Sequence, residues 1–259
     1  MSYQQEKFTQ IADAIREKTG TEDLIKPSDF AGKISEVYEK GEKSQYDEFW
    51  EAYQNTTIKK GVGQYMYSFA GYGWNDNTFK PKYDIRMRYG NQYTFAYSKI
   101  TDLIRLLENA RVILDTSEAT SFPYMFYGST VTKIPAIDCR NTTSLGNVFT
   151  DCKSLECLSL IVDENNTFPI STFRQCEKLS DITIEGTIGQ SISFPDCPLS
   201  VKSVMSVLKH LIDCSGSGTV LTLTLSDYSK GLMEAQGEIA ELGGKRYDEY
   251  ITDKGWDLE

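Results

Sequence analysis

"NVFTDCKSLECLSL" (147–160) and "STFRQCEKLSDITI" (171–184) are nearly the same stretch written twice, 24 residues apart. Phe149 aligns with Phe173, Cys152 with Cys176, Leu155 with Leu179, Leu158 with Ile182 and Leu160 with Ile184. The pattern is Phe-x2-Cys-x2-Leu-x2-Leu-x-Leu, and a period of this size marks a solenoid. Upstream, "FYGSTVTKIPAID" (126–138) is a third copy, one residue shorter after the Phe, with Ser129 in the place of Cys152. "FAYSKITDL" (95–103) aligns with that copy: Phe95 with Phe126, Ser98 with Ser129, Ile100 with Val131 and Leu103 with Ile134. The linking segments "LDTSEATSF" (114–122) and "IDCRNTTSL" (137–145) also match, at an offset of 23, and a fainter copy begins at Phe69.

The physical expectation follows from the period. Each unit turns once, and its short strand alternates between inside and outside. Leu158, Leu160, Ile182 and Ile184 are expected to point inward. The Phe fills the opposite wall, and Cys152 and Cys176 stack as small buried groups. One unit cannot bury its own apolar side, whereas stacked units can.

These motifs carry a resemblance. Phe-x2-Cys-x2-Leu-x2-Ile-x-Ile resembles the BspA-type leucine-rich repeat, and "MFYGSTVTKIPAIDCRNTTSL" resembles the variant that alternates a Met-Phe start with an Ile-Pro-x-Ile-Asp strand. It covers roughly residues 60–190. The resemblance implies a scaffold for binding; it does not name a ligand. The chain departs from the pattern around 70–115, where "LIRLLENARV" reads as an inserted short helix.

The two ends read differently. In "SVKSVMSVLKHLI" (200–212), Val201, Val204, Met205, Leu208 and Leu211 fall at helical spacing, and "VLTLTLS" (220–226) alternates as a strand with one buried face. "YDEYITDKGWDL" reads as a short helix, a Gly stop and an edge strand. Residues 191–259 are therefore expected to form an α/β cap, helix–strand–helix–strand, that continues and closes the sheet. At the other end, Phe8, Ile11 and Ile15 line one amphipathic helix that Gly20 ends. Ser28 is placed to cap a second, along which Phe30, Ile34, Val37 and Tyr38 form a stripe. After Gly41, Tyr46, Phe49, Trp50 and Tyr53 form another, and "NTTIKKGVG" reads as a boundary. "IADAIREKTGTEDLIKPSDFAGKISEV" resembles a segment found near the N-terminus of many tail and virion-associated proteins of phages of Gram-positive and gut bacteria. That resemblance implies an N-terminal module that attaches or oligomerises.

Charge and composition narrow the partners. The net charge of −10 argues against a nucleic-acid phosphate binder and against docking on an anionic membrane. No apolar run is long enough to span a membrane, and "MSYQQEKF" carries no apolar signal core. The six cysteines show neither a CxxC pair nor zinc spacing, and reduced, buried thiols are expected.

An enzyme needs a constellation, and the residues do not supply one. His210 is the one histidine, which leaves no Ser-His set beyond it and no His-rich metal site. "GVGQYMYSFAGYG" lacks the context of a phosphate loop. Asp163 and Glu164 read as a solvated turn. A binding surface has compositional support in the aromatic tract of residues 46–97, because tyrosines and tryptophans give large contact area at low entropic cost. Candidate contact residues are Tyr65, Tyr67, Tyr72, Trp74 and Tyr97, joined by the strand-face residues Ser159 and Thr183.

The expectation is thus an α/β fold: an N-terminal helical attachment module (1–54), a leucine-rich-repeat, BspA-like solenoid (55–190) and a C-terminal α/β cap (191–259). The expected function is non-enzymatic. The chain reads as a tail-related virion protein, assembled in the bacterial cytoplasm as a homo-oligomer and without cofactor. Its N-terminal helices meet other virion proteins, and its repeat surface meets a host-surface protein or glycan. A non-viral bacterial BspA-like interaction module is the alternative. A carbohydrate-active enzyme, with two carboxylates facing across a cleft, is a third.

Overall fold

A column of phenylalanines organises the chain. The computed structural model describes residues 69–71, 73–81, 84–87 and 91–259; the helices expected over residues 1–54 lie outside them. Phe69, Phe95, Phe126, Phe149, Phe173 and Phe194 are all buried. In chain order their ring centroids lie 5.1, 5.2, 5.9, 5.8 and 4.7 Å apart, with planes within 24° of parallel. Backbone hydrogen bonds tie one turn to the next: Phe95 N donates to Met125 O, Phe126 N to Val148 O and Phe149 N to Thr172 O. Burying such rings stabilises each turn only when its neighbours are present, since each ring's faces are covered by the rings above and below.

From Phe95 onward, three residues after each Phe of the column comes a small side chain that is buried with it: Ser98, Ser129, Cys152, Cys176 and Cys197. The thiols of Cys152 and Cys176 donate to Phe126 O and Phe149 O, 3.0 and 3.1 Å away. Cys197 Sγ donates to Phe173 O at 3.6 Å. The expected burial of Cys152 and Cys176 is observed, with the addition that their thiols satisfy the carbonyl of the preceding turn.

The opposite wall is made of short parallel strands. β1 (Ile85–Arg86) pairs with β2 (Leu114–Asp115). β3 (Ile137–Asp138), β4 (Cys157–Val162) and β5 (Asp181–Gly186) form a second sheet, with Leu158 opposite Ile182 and Leu160 opposite Ile184. Those four side chains are buried, as their alternation requires. Between β1 and β2 lies α1 (Leu103–Ala110), the inserted helix. Asp102 caps it by accepting from Arg105 N, and Leu103 and Leu107 are its buried residues.

The C-terminal region contains β6 (Ile192–Phe194), α2 (Val201–His210), β7 (Leu221–Leu225), α3 (Asp227–Glu234), α4 (Tyr247–Asp253) and β8 (Trp256–Leu258). The strands form a third parallel sheet in the order β6–β7–β8. The helix at 201–210, the strand at 221–225 and the final helix–strand pair stand where the spacing placed them. β6 and α3 were not anticipated, although Ser226 caps α3 by accepting from Ser229 N.

The fold expectation needs correction. The described residues form mixed α/β structure in three separate parallel sheets of two, three and three strands, not a leucine-rich-repeat solenoid with one sheet running into its cap. Side-chain hydroxyls interrupt the ladder at both ends of the central sheet. At β3, Asp138 N donates to Thr116 Oγ1, 2.8 Å away, instead of to a strand carbonyl. At β5, Ile182 N and Ile184 N donate to Ser203 Oγ and Ser206 Oγ of α2, each 2.9 Å away. A helix face therefore closes the outer edge of β5, and the C-terminal strands form a sheet of their own.

Candidate functional site

Of the candidate contact residues, Tyr65, Tyr67 and Tyr72 lie outside the described residues. Trp74 is 3 % exposed and meets Phe69 and Phe79 edge to face, at 5.4 and 6.3 Å between centroids. It is a core residue, which corrects its placement on a contact surface: its ring packs edge to face on Phe69 and Phe79 and is buried with them. Ser159 and Thr183 sit opposite each other on the outer face of β4 and β5, Ser159 half-buried and Thr183 exposed. Tyr97 is the exposed aromatic among the described members of the set, at 38 %.

Tyr97 does not stand alone. Tyr93 and Tyr124 stack face to face, 4.7 Å apart and 4° from parallel. Tyr127 meets Tyr97 edge-on at 5.4 Å and Tyr124 at 5.7 Å. Four tyrosines from two consecutive turns thus make one patch beside the buried Phe95 and Phe126. The Tyr97 ring rests against Gly128: a Cβ at that glycine would lie 2.9 Å from Tyr97 Cδ1 and Cε1. Tyr124 and Tyr127 were missed in the sequence. The signal was present, since aligning Phe95 with Phe126 puts Tyr93 directly on Tyr124, two residues before the Phe in both copies.

The backbone beneath these rings is unusual. Tyr93, Tyr97 and Tyr124 have φ of 56°, 57° and 58°, the left-handed region. Bulky residues rarely adopt it, and holding one there costs about 1 kcal/mol or more. The turns themselves demand the conformation. The position two residues after each Phe is left-handed in five turns, where it is filled by Gly71, Tyr97, Gly128, Asp151 and Gln175. Two residues before the Phe it is left-handed at Tyr93, Tyr124 and Asn147. Gly, Asn and Asp suit that geometry. The fold therefore requires a left-handed residue at these places but does not require tyrosine, and three places carry tyrosine at a cost.

Several other polar and ionisable groups have structural partners. Asp138 accepts from Arg140 Nη2 at 2.7 Å and from its backbone N at 3.1 Å, and the Arg140 hydrogen bond, foremost, holds the carboxyl below the usual range. Asp115, Asp163 and Asp213 each accept the amide two residues on, which closes a turn. His210 Nδ1 lies 2.7 Å from Ser206 O, so the ring donates to its own helix. Burial pushes up the thiol of Cys139 and that of Cys152; Cys176 is pushed up first by its contact with Cys197 and then by burial. Among the described residues, no group of three His, Cys, Asp or Glu is placed to hold a metal ion, and no helix is long and apolar enough to cross a membrane.

No family model matches the chain, and neither a curated protein nor a solved structure matches it.

Proposed function

We propose that this chain is a non-enzymatic binding protein of a phage virion, which engages a partner outside the particle through the tyrosine patch of its stacked turns. The observation that carries the binding role is the left-handed backbone of Tyr93, Tyr97 and Tyr124, at positions that equivalent turns fill with Gly, Asn, Asp or Gln. Strain retained against an available alternative points to a use other than folding. The virion role rests on the resemblance of "IADAIREKTGTEDLIKPSDFAGKISEV" to the N-terminal segment of phage tail and virion proteins. In this reading residues 1–54 attach the chain to other virion proteins and assemble it as a homo-oligomer.

Two measurements test the two parts. Replacing Tyr93 and Tyr124 by Asn removes rings whose stacking is worth about 0.5–1.5 kcal/mol and relieves backbone strain of similar size. The expected result is a stability within about 1 kcal/mol of the parent in urea unfolding; a loss of about 3 kcal/mol or more per site makes the rings core and removes the binding role. For the virion role, the chain should co-sediment with particles from cells that produce it. Recovery only in the soluble fraction, as a monomer, refutes that part.

A further inference from the structure

We infer that Cys176 and Cys197 are a redox pair: outside a reducing compartment they close a disulfide that locks the turns of Phe173 and Phe194 together. The device is independent of the tyrosine patch.

The ladder beside the rings holds Ser98 and Ser129 in two turns, then Cys152, Cys176 and Cys197 in the next three. The interior accepts a hydroxyl at this place, so packing alone does not call for a run of thiols. Cys152 Sγ lies 3.8 Å from Ser129 Oγ, in the turn before it. Cys176 has its contact in the turn after it: the Cys197 thiol, foremost, pushes the Cys176 thiol up.

The backbone holds these two turns within reach of a bond. Three residues before each cysteine, the rings of Phe173 and Phe194 are 4.7 Å apart, the closest spacing in the column. On the other side, Ser200 N donates to Ser180 O at 2.9 Å. The chain segments therefore run side by side both before and after the pair. Neighbouring strands lie about 4.8 Å apart, and a disulfide joins Cα atoms about 4.4–6.8 Å apart. Closure also strands no carbonyl. Cys176 Sγ donates to Phe149 O and Cys197 Sγ to Phe173 O; those oxygens keep Cys152 N and Cys176 N, at 3.1 and 3.3 Å.

The oxidant is a peroxide, small enough to reach a buried thiol during brief local opening. One thiolate attacks a peroxide oxygen and the O–O bond breaks. The sulfur is oxidised to a sulfenic acid, and the departing hydroxide takes the thiol proton and becomes water. The second thiol attacks that sulfur, the S–O bond breaks, and a second water leaves. Two thiols and one hydrogen peroxide thus give one disulfide and two waters. Both thiols are buried, which keeps bulkier thiols from the sulfenic acid and leaves it to its neighbour.

The test is a tryptic peptide map, without reduction, of the full chain treated with hydrogen peroxide. The expected product joins residues 175–178 to residues 179–202, the peptides that carry Cys176 and Cys197. The midpoint of thermal unfolding should rise by about 5 °C or more and return on addition of dithiothreitol. Cys176→Ser and Cys197→Ser should each abolish both the joined peptide and the rise, and Cys152→Ser should leave both. Thiols that all stay reduced overturn the inference. So does a product that joins Cys152 to Cys176, or one that carries sulfinic or sulfonic acid at Cys176 or Cys197 in place of the link. The map of the parent chain decides the matter even where a serine variant does not fold.

Discussion

Replacing Ser203 by Ala tests whether a helix hydroxyl really ends the central sheet. Ser203 Oγ accepts from Ile182 N at 2.9 Å and donates to Ser180 O at 2.7 Å. The carbonyl keeps a second donor, Ser200 N, at 2.9 Å, so it is not orphaned by the change. The amide of Ile182 has no such reserve: both Ile182 and Ser203 are buried, at 3 % and 1 % exposure. Leaving one buried N–H without an acceptor costs about 1–3 kcal/mol. At the middle of that range, the midpoint of thermal unfolding should fall by about 4–8 °C. Ser206→Ala is the internal comparison, because Ser206 Oγ accepts from Ile184 N at the same 2.9 Å but is half-buried. Water can reach the vacated place, and the loss should be at most about 1 kcal/mol. Urea unfolding of both variants gives the comparison, with the slope m unchanged if only stability moves. A Ser203→Ala chain within about 0.5 kcal/mol of the parent, or a Ser206→Ala chain hit harder than Ser203→Ala, refutes the idea that these hydroxyls close the edge of β5.

Phe149→Ala removes a ring stacked between Phe126 and Phe173 and should cost about 3–5 kcal/mol in chemical unfolding; a loss near 1 kcal/mol would mean that the column is not the core. Asp138 has its folded pKa depressed by Arg140, so it adds stability above the unfolded carboxylate value, about 3.9, and loses it as pH falls through the folded one. Asp138→Asn should therefore flatten the decline in stability between about pH 5 and pH 3, and an unchanged slope there contradicts the assignment. Cys139, Cys152, Cys176, Cys197 and Cys214 are buried and Cys157 is half-buried. An aromatic disulfide reagent should leave those five thiols unmodified in the native protein and react with all six after denaturation; early labelling at Cys152 or Cys176 would show that the column opens.

Much of the interior was legible because it is periodic. Aligning Phe149 with Phe173 and Phe95 with Phe126 marks residues that must share one environment, and all four rings lie in one column. Phe194-x2-Cys197 repeats the start of the same pattern and joins that column, although the copy is too short to stand out in the sequence. Alternation in "VLTLTLS" placed β7 for the same reason: a pleated strand exposes every second residue. The patch was harder to read. Trp74 and Tyr97 look alike as aromatic residues of one tract, yet the first is buried against Phe69 and Phe79 while the second rests on Gly128 at the surface, 38 % exposed. Composition cannot separate a ring that fills the core from one that lies over it.

By itself, then, the sequence determined which side chains are buried together, because burial at a fixed spacing is a property of the local pattern. Tertiary structure decided where the sheets end and which tyrosines meet. Thr116 reaches Asp138 across 22 residues, Ser203 reaches Ile182 across 21, and Tyr93 meets Tyr124 of the next turn. A hydroxyl that caps a strand and one that faces water are the same residue in the sequence; only the chain brought back alongside supplies the amide that distinguishes them.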